Sequence, residues 1–233
     1  MENSVSPVVG SLYSFLDERD TLRLRDAGSE RSYAANEVLM HEGDPTDHVH
    51  ILLAGWVRVS TLTDDGTEIL FALRGPGDVI GELAAILGMP RSVTVRTIEP
   101  VKVLQVRGPV FVRCVREQPD LSLAVIKSIA TRLRDAEAVR VDITTMDVTR
   151  RLALYLLRLA RDHGTPGPEG ISVEMPLTQL DIANHVGASL RAVARSMAML
   201  RDRGIISNAR KRYTIAKPAV LRSLIRTAPT EAD

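Results

Sequence analysis

The run Asp78-Val-Ile-Gly-Glu-Leu-Ala-Ala-Ile-Leu-Gly-Met-Pro-Arg-Ser-Val-Thr-Val95 holds the side chains best suited to chemistry in this sequence. Gly81-Glu82-Leu83-Ala84 reads as the start of a short helix, and Arg91-Ser92 as the start of a β-branched strand. A helix start presents unpaired N–H groups and a partial positive charge, which suit a phosphate. Gly81 lets the backbone come close, and Arg91 adds a two-pronged donor matched to phosphate oxygens. The Glu82 carboxylate would repel a bare phosphate, so its use is to accept from a sugar hydroxyl beside one. An anion cradle with a hydroxyl acceptor makes a site for a ribose cyclic phosphate. The plain alternative is a surface turn with a solvated Glu and Arg.

The segments around this run must position it. Residues 31–107 alternate short β-branched stretches (Val49–Leu53, Val57–Leu62, Ile69–Leu73) with glycine-bearing turns such as Glu42-Gly43-Asp44, Ala54-Gly55 and Gly75-Pro76-Gly77-Asp78. Regular short strands with turn signals predict a sandwich or small barrel. Leu12–Leu24 and Gly108–Arg116 read as flanking helices. From Leu121 to Ile143 there is no Gly or Pro, and Ile126, Ile129, Leu133, Ala136, Arg140 and Ile143 follow a 3–4 spacing. That is a heptad seam suited to a second copy of the chain, with Arg140 positioned to pair across it. Another helix is expected over Arg151–Ala160, and the Pro/Gly-rich stretch Asp162–Gly170 reads as a loop.

Leu177 to Leu200 reads as helix, tight turn, helix. Thr178 and Asp181 form a capping-box-like start, Leu180, Ile182, Ala183 and Val186 are expected to face inward, Gly187 suits the turn, and Ser189 caps the second helix. Val193, Met197 and Leu200 hold that helix to a core, leaving Leu190, Arg191 and Arg195 outward near its N-terminal half. Ile205–Ser207, the turn Asn208-Ala-Arg-Lys-Arg212 and Tyr213–Ala216 follow as a hairpin whose Arg210, Lys211 and Arg212 would meet phosphates.

Charge supports a polyanion partner. Residues 1–149 carry 16 Lys/Arg against 22 Asp/Glu, a net of −6. Residues 150–226 carry 14 against 5, a net of +9, which concentrates positive charge on the helix-turn-helix half. Hydrophobic content of 45% supports one or two cores, and with aromatics at 3% those cores must be aliphatic. The absence of a leader-like start or an apolar run near 18 residues predicts a soluble cytoplasmic protein without a membrane partner. Cys114 is the single cysteine, which excludes an internal disulfide and suits a packing role.

With Gly81-Glu82-Leu83 and Arg91-Ser92 in one register, the first run resembles the phosphate-binding cassette of cyclic-nucleotide-binding domains. The order of β-roll, long helix, Asp147-Val-Thr149 and winged helix-turn-helix resembles the CRP/FNR transcription regulators over nearly the whole chain. The resemblance implies an α+β fold: a cyclic-nucleotide-binding β-roll (jelly roll) over 1–117, a dimerisation helix over 118–146 and a winged helix-turn-helix over 147–233. It implies a homodimeric regulator rather than an enzyme, with cAMP or cGMP as effector, and with a pseudo-palindromic DNA duplex and RNA polymerase as partners. Matched position by position, Gly81, Glu82, Leu83, Ala84, Arg91 and Ser92 become sugar-phosphate contacts, and Arg132 becomes a central-helix arginine paired with Glu82. The DNA-binding set is then Thr178, Gln179, Ser189, Leu190, Arg191, Arg195, Arg210, Lys211 and Arg212.

Two departures bear on specificity. The family's Thr-Ser pair that touches adenine falls on Ala136-Glu137, so the base-reading hydroxyls are missing. Glu137 is instead placed to accept from the adenine amino group or from guanine N1–H and N2–H. A regulator of the same family that needs no ligand, or senses haem through His41, His48 or His50, remains the alternative. His48-Val-His50 also invites a cupin-like metal enzyme, but Ile51-Leu-Leu-Ala-Gly-Trp56 supplies no carboxylate, and no metal is expected; His41 and His50 read as surface or turn residues.

The second departure lies in the recognition helix, where Arg-Glu-x-x-x-Arg is replaced by Leu190, Arg191 and Arg195. Leucine offers contact to a thymine methyl and Arg191 turns a cytosine acceptor into a guanine donor. The half-site should therefore differ from the TGTGA that the resemblance implies. Binding to a TGTGA palindrome, measured beside a consensus obtained by selection, should be the weaker of the two; tighter TGTGA binding refutes this reading.

Overall fold

Alternating apolar positions build two four-stranded sheets from eight short strands. In the computed structural model, which describes residues 7–45, 47–64, 66, 68–209 and 212–226, these are β1 (Ser29–Tyr33), β2 (Val38–Met40), β3 (His48–Ala54), β4 (Val57–Leu62), β5 (Glu68–Arg74), β6 (Val79–Ile80), β7 (Thr94–Thr97) and β8 (Val101–Arg107). One sheet has the order β1-β8-β3-β6 and the other β2-β7-β4-β5, with every neighbouring pair antiparallel. Leu52, Val57, Val95, Val101 and Val103 fill the space between them. The other face of the first sheet presents Val49, Ile51, Leu104 and Val106 to Leu12, Leu24, Phe111, Leu121 and Val125. Strand β3 is thus buried on both faces, which is why it reads as a nearly continuous apolar run.

The covering helices are α1 (Glu18–Asp26), α3 (Gly108–Glu117) and the first part of α4 (Pro119–Thr145); α2 (Glu82–Leu87) follows β6. The single helix expected over Leu12–Leu24 is split into a 3-10 turn at Leu12–Phe15 and α1. The cause is Asp17, whose extended backbone breaks the run while its carboxylate accepts from the N–H of Asp20 at 2.8 Å. Cys114 is a buried member of the helix-side core.

The contacts of the chain divide within α4 into two compact units, Met1–Asp135 and Ala136–Asp233. Along α4, Leu121, Ala124, Val125 and Ser128 are buried against the first core. Of the 3–4 seam, Ile126, Leu133 and Ile143 are exposed, at 61%, 59% and 42%, as are Ala136 and Arg140, while Ile129 is half-buried.

The second unit contains α5 (Val148–His163), β9 (Gly164–Gly167), β10 (Gly170–Glu174), α6 (Gln179–Val186), α7 (Leu190–Asp202), β11 (Ile206–Ala209), β12 (Arg212–Ile215) and α8 (Pro218–Arg226). Its sheet has the order β11-β12-β10-β9. The stretch expected as a loop, Asp162–Gly170, therefore contributes an edge strand and its turn. Pro166 is tolerated there because an edge strand leaves one side of its backbone unpaired. Leu180, expected inside, is 52% exposed. Ile182, Ala183 and Val186 define the buried side of α6, and a residue two positions before Ile182 turns away from it; Leu177 fills the core instead.

Phe111 has no exposed surface, and its replacement by Ala should cost about 3–5 kcal/mol through lost burial and a cavity. Trp56 is the only tryptophan and lies in the same unit, so urea unfolding followed by its fluorescence reads the roll directly. A loss below about 1 kcal/mol would contradict this account of the core.

Candidate functional site

The start of α2 is shaped by a backbone that only glycine adopts comfortably. Gly81 caps the helix in the left-handed region, at φ 82°. A Cβ there would fall 2.2 Å from Arg91 Nη1, so the residue also leaves space for the guanidinium. Arg91 is 4% exposed and donates to the carbonyls of Gly81, at 3.0 Å, and of His48. Burial lowers its pKa, and the carboxylate of Asp47 at 3.8 Å works in the opposite direction. The β-branched strand expected to start at Arg91-Ser92 begins instead at Thr94, and Arg91 approaches from the connecting segment. Ser92 is exposed beside it, Ala84 is buried, and Leu83 is exposed on the outer face of α2.

Glu82 is 3% exposed and held by Arg132 of α4, whose Nη1 donates to Glu82 Oε1 at 2.7 Å. The other terminal nitrogen donates to Asp78 Oδ1 at 3.2 Å and to the Val79 carbonyl at 2.8 Å. Asp78, a turn residue by its sequence context, also accepts from the Gly75 N–H at 3.0 Å and so ties the preceding turn to the cluster. Arg74 at the end of β5 belongs to the same neighbourhood: burial lowers its pKa, and the like charge of Arg132 adds to that. Neither residue carried a motif signal. Glu137 and Ala136, the positions matched to base reading, are exposed on α4 in the second unit.

His50 departs from its expected surface position and is 3% exposed. Its Nε2 lies 3.1 Å from Gln105 Nε2, and the Tyr33 ring meets it edge-on with centroids 6.2 Å apart. Burial, reinforced by the charge of Arg91, pushes its pKa down to about 4. His41 is exposed, and His48 pairs with Asp47 at 2.8 Å. Among the described residues, no group of three or more His, Cys, Asp or Glu is arranged to hold a metal ion.

In the second unit, Thr178 Oγ1 accepts from the Asp181 N–H at 3.1 Å while Asp181 accepts from the Thr178 N–H at 2.9 Å, a reciprocal cap on α6. Gly187 turns the chain at φ 62°, and Ser189 Oγ accepts from the Ala192 N–H at 3.2 Å to start α7. With Val193, Met197 and Leu200 fully buried, Leu190, Arg191 and Arg195 are left on the exposed side. Gln179 is half-buried at the start of α6. On the β11–β12 hairpin, Arg212 is ion-paired with Glu174 of β10. Arg210 and Lys211, the other two expected phosphate contacts, lie outside the described residues.

Arg151 ties the turn between α6 and α7 to the end of α4. Its guanidinium donates to the carbonyls of Ile143 and Met146, both at 3.0 Å, and of Gly187 at 3.1 Å. Arg158 pairs with Asp142 at 2.9 Å beside it. Among the described residues, no helix is long and apolar enough to cross a membrane.

Residues 30–118 match the model of a cyclic nucleotide-binding domain, and residues 150–224 match that of a Crp-like helix-turn-helix domain. The chain is 30% identical over 192 residues to a global nitrogen regulator of Synechocystis, covering 82% of this chain and 85% of that one. It is 33% identical over 165 residues to a CRP-like cAMP-activated global transcriptional regulator of Mycobacterium tuberculosis, covering 71% and 74%. Among solved structures it is similar to FixK2 from Bradyrhizobium japonicum, with a TM-score of 0.75, 25% identity and coverage of 86% of this chain and 98% of that one.

The buried His50 gives a testable pH dependence. Between pH 6.5 and about 4 the unfolded chain takes up a proton that the folded ring excludes, so this contribution is complete above pH 6.5 and is lost as pH falls toward 4. The shift corresponds to about 3 kcal/mol. Urea unfolding at pH 7 and 4.5 should show a larger difference in stability for the wild type than for His50→Phe; parallel losses would place the titration elsewhere.

Proposed function

The chain belongs to the CRP/FNR family of transcriptional regulators, and on that premise we propose that it acts as a homodimer reading a pseudo-palindromic duplex under the control of cAMP or cGMP. The observation that carries the reading is the buried guanidinium of Arg91 lying across Gly81, in a spot no other residue type would leave open. A cyclic phosphate takes over the donors that Arg91 now gives to backbone carbonyls, joined by the N–H groups around Leu83 and Ala84 and the hydroxyl of Ser92. Glu82, held in place by Arg132, accepts from the ribose hydroxyl, and Glu137 reads the base. The name of the Mycobacterium tuberculosis relative, which describes it as cAMP-activated, favours a nucleotide effector here as well.

The second copy covers the exposed Ile126, Leu133 and Ile143 seam of α4, which suits a helix pair better than water. In such a dimer two α7 helices enter successive major grooves ~34–36 Å apart. Leu190, Arg191 and Arg195 then face base edges, while Thr178, Gln179, Ser189, Arg210, Lys211 and Arg212 meet phosphates. Control is a population shift: the nucleotide favours the arrangement that fits both half-sites. Cytoplasmic action together with RNA polymerase completes the reading.

A ligand-independent regulator is the second reading. It is favoured by the in-chain partners of both cassette charges, since Arg91 already donates to two carbonyls and Glu82 already accepts from Arg132.

Calorimetry with cAMP and cGMP, each with and without operator DNA, separates the two. Under the first reading one nucleotide binds, tightens DNA binding, and loses at least about tenfold in affinity with Arg91→Ala. Arg195→Ala should leave that titration unchanged and relax preference at one base position by ~1–3 kcal/mol. DNA binding at full strength without nucleotide supports the second reading; an unaltered operator motif for Arg195→Ala removes that residue from base reading.

A further inference from the structure

His50 sits on β3 in a rung between Ile80 of β6 and Gln105 of β8. Its side chain shares a strand face with Leu52, a member of the cluster between the sheets, whereas Val49 and Ile51 turn to the helix side. The ring therefore points into the roll. Gln105 presents its amide nitrogen to His50 Nε2, and an amide nitrogen can only donate. With the amide in that orientation Nε2 is the acceptor, and the proton of the neutral ring is on Nδ1. That Nδ1 is buried and has no hydrogen-bond partner among the described residues.

A buried donor without an acceptor is costly, and an acceptor brought by a ligand would relieve that cost. What surrounds it identifies the acceptor's chemistry. Arg91 donates to the His48 carbonyl on β3 and to the Gly81 carbonyl just after β6, so its guanidinium bridges the two strands next to the rung that His50 makes with Ile80. The Arg91 guanidinium is near enough to act on the His50 ring, so a charged and a neutral donor share this part of the roll. A cation would be repelled there, and an apolar group would leave the His50 donor unanswered. An anion with several oxygens satisfies both.

We propose that His50 is a ligand-binding residue whose Nδ1–H donates to a phosphate oxygen of the cyclic nucleotide beside Arg91. The assignment deepens the nucleotide reading given above and rests on it. Because the ring is neutral, it adds a directional hydrogen bond without adding a second positive charge. It gives this pocket a contact that the Gly81–Ser92 segment does not itself contain.

The test is calorimetry of the full chain with cAMP and cGMP at pH 7 for the wild type, His50→Phe and His50→Asn. Phe keeps a ring against Tyr33 but has no donor, whereas Asn returns an amide N–H near the place of Nδ1. His50→Phe should weaken the bound nucleotide about tenfold and His50→Asn should recover most of that loss. Replacing either exocyclic phosphate oxygen by sulfur, in the two cyclic phosphorothioate diastereomers, adds a second reading. For the oxygen that His50 contacts, the penalty of sulfur should be present in the wild type and shrink in His50→Phe. Should His50→Phe fail to fold, as judged by Trp56 fluorescence, the proton NMR signal of His50 Nδ1–H in the wild type decides: it should move downfield on adding nucleotide. Equal affinities for wild type and His50→Phe, or an unmoved signal, overturn the role of His50 alone. A wild type that binds neither nucleotide overturns the nucleotide reading itself, and the role of His50 with it.

Discussion

Two carboxylates, Asp78 and Glu82, are buried at the edge of an aliphatic roll, and the guanidinium of Arg132 pairs with both. Ionised groups in such surroundings are tolerated only when paired and hydrogen-bonded, so the segment from Gly75 to Leu87 depends on Arg132 to keep its shape. Arg132 belongs to α4, and it reaches β6 through the Val79 carbonyl as well. The geometry around Gly81 is therefore a joint property of the sheet and the long helix. A change in either is felt by the other through the same three hydrogen bonds.

The remainder of the first unit makes that arrangement rigid with few aromatic residues. Strand β3 lies between two cores, giving Leu52 to one and Val49 and Ile51 to the other, so one strand registers both layers. Gly75 lets the Trp56 ring lie flat on the turn before Asp78, since a Cβ there would come within 2.7 Å of it. Close packing of aliphatic side chains leaves the polar exceptions, His50 and Gln105, conspicuous on the interior side of the sheet.

Local side-chain types made much of this legible. Gly81, Glu82 and Arg91 stood out because their chemistry is unusual together, and Val57–Leu62 matches β4 residue for residue. The helix starts at Thr178 and Ser189 were readable because a cap is a short-range interaction. What escaped depends on distance along the chain or on context. His50 is buried because β3 pairs with β6 and with β8, whose Gln105 is 55 residues away, and histidine suits a surface equally well. Asp78 looked like a turn residue until α4 brought Arg132 beside it, 54 residues on. Gly164–Gly167 has the composition of a loop, and only its place at the sheet edge makes it a strand. Leu180 is apolar like its neighbours, but the turn of a short helix carries it away from the side that Ile182, Ala183 and Val186 bury.

The three hydrogen bonds of Arg151 have a mechanical consequence. Asp147 and Val148 look like a swivel, because α4 ends and α5 begins there. Turning about that point would tear Arg151 from Ile143, Met146 and Gly187 and would part Arg158 from Asp142. Within the second unit, the end of α4 and the helix-turn-helix are therefore held as one piece, like a handle fixed to its blade.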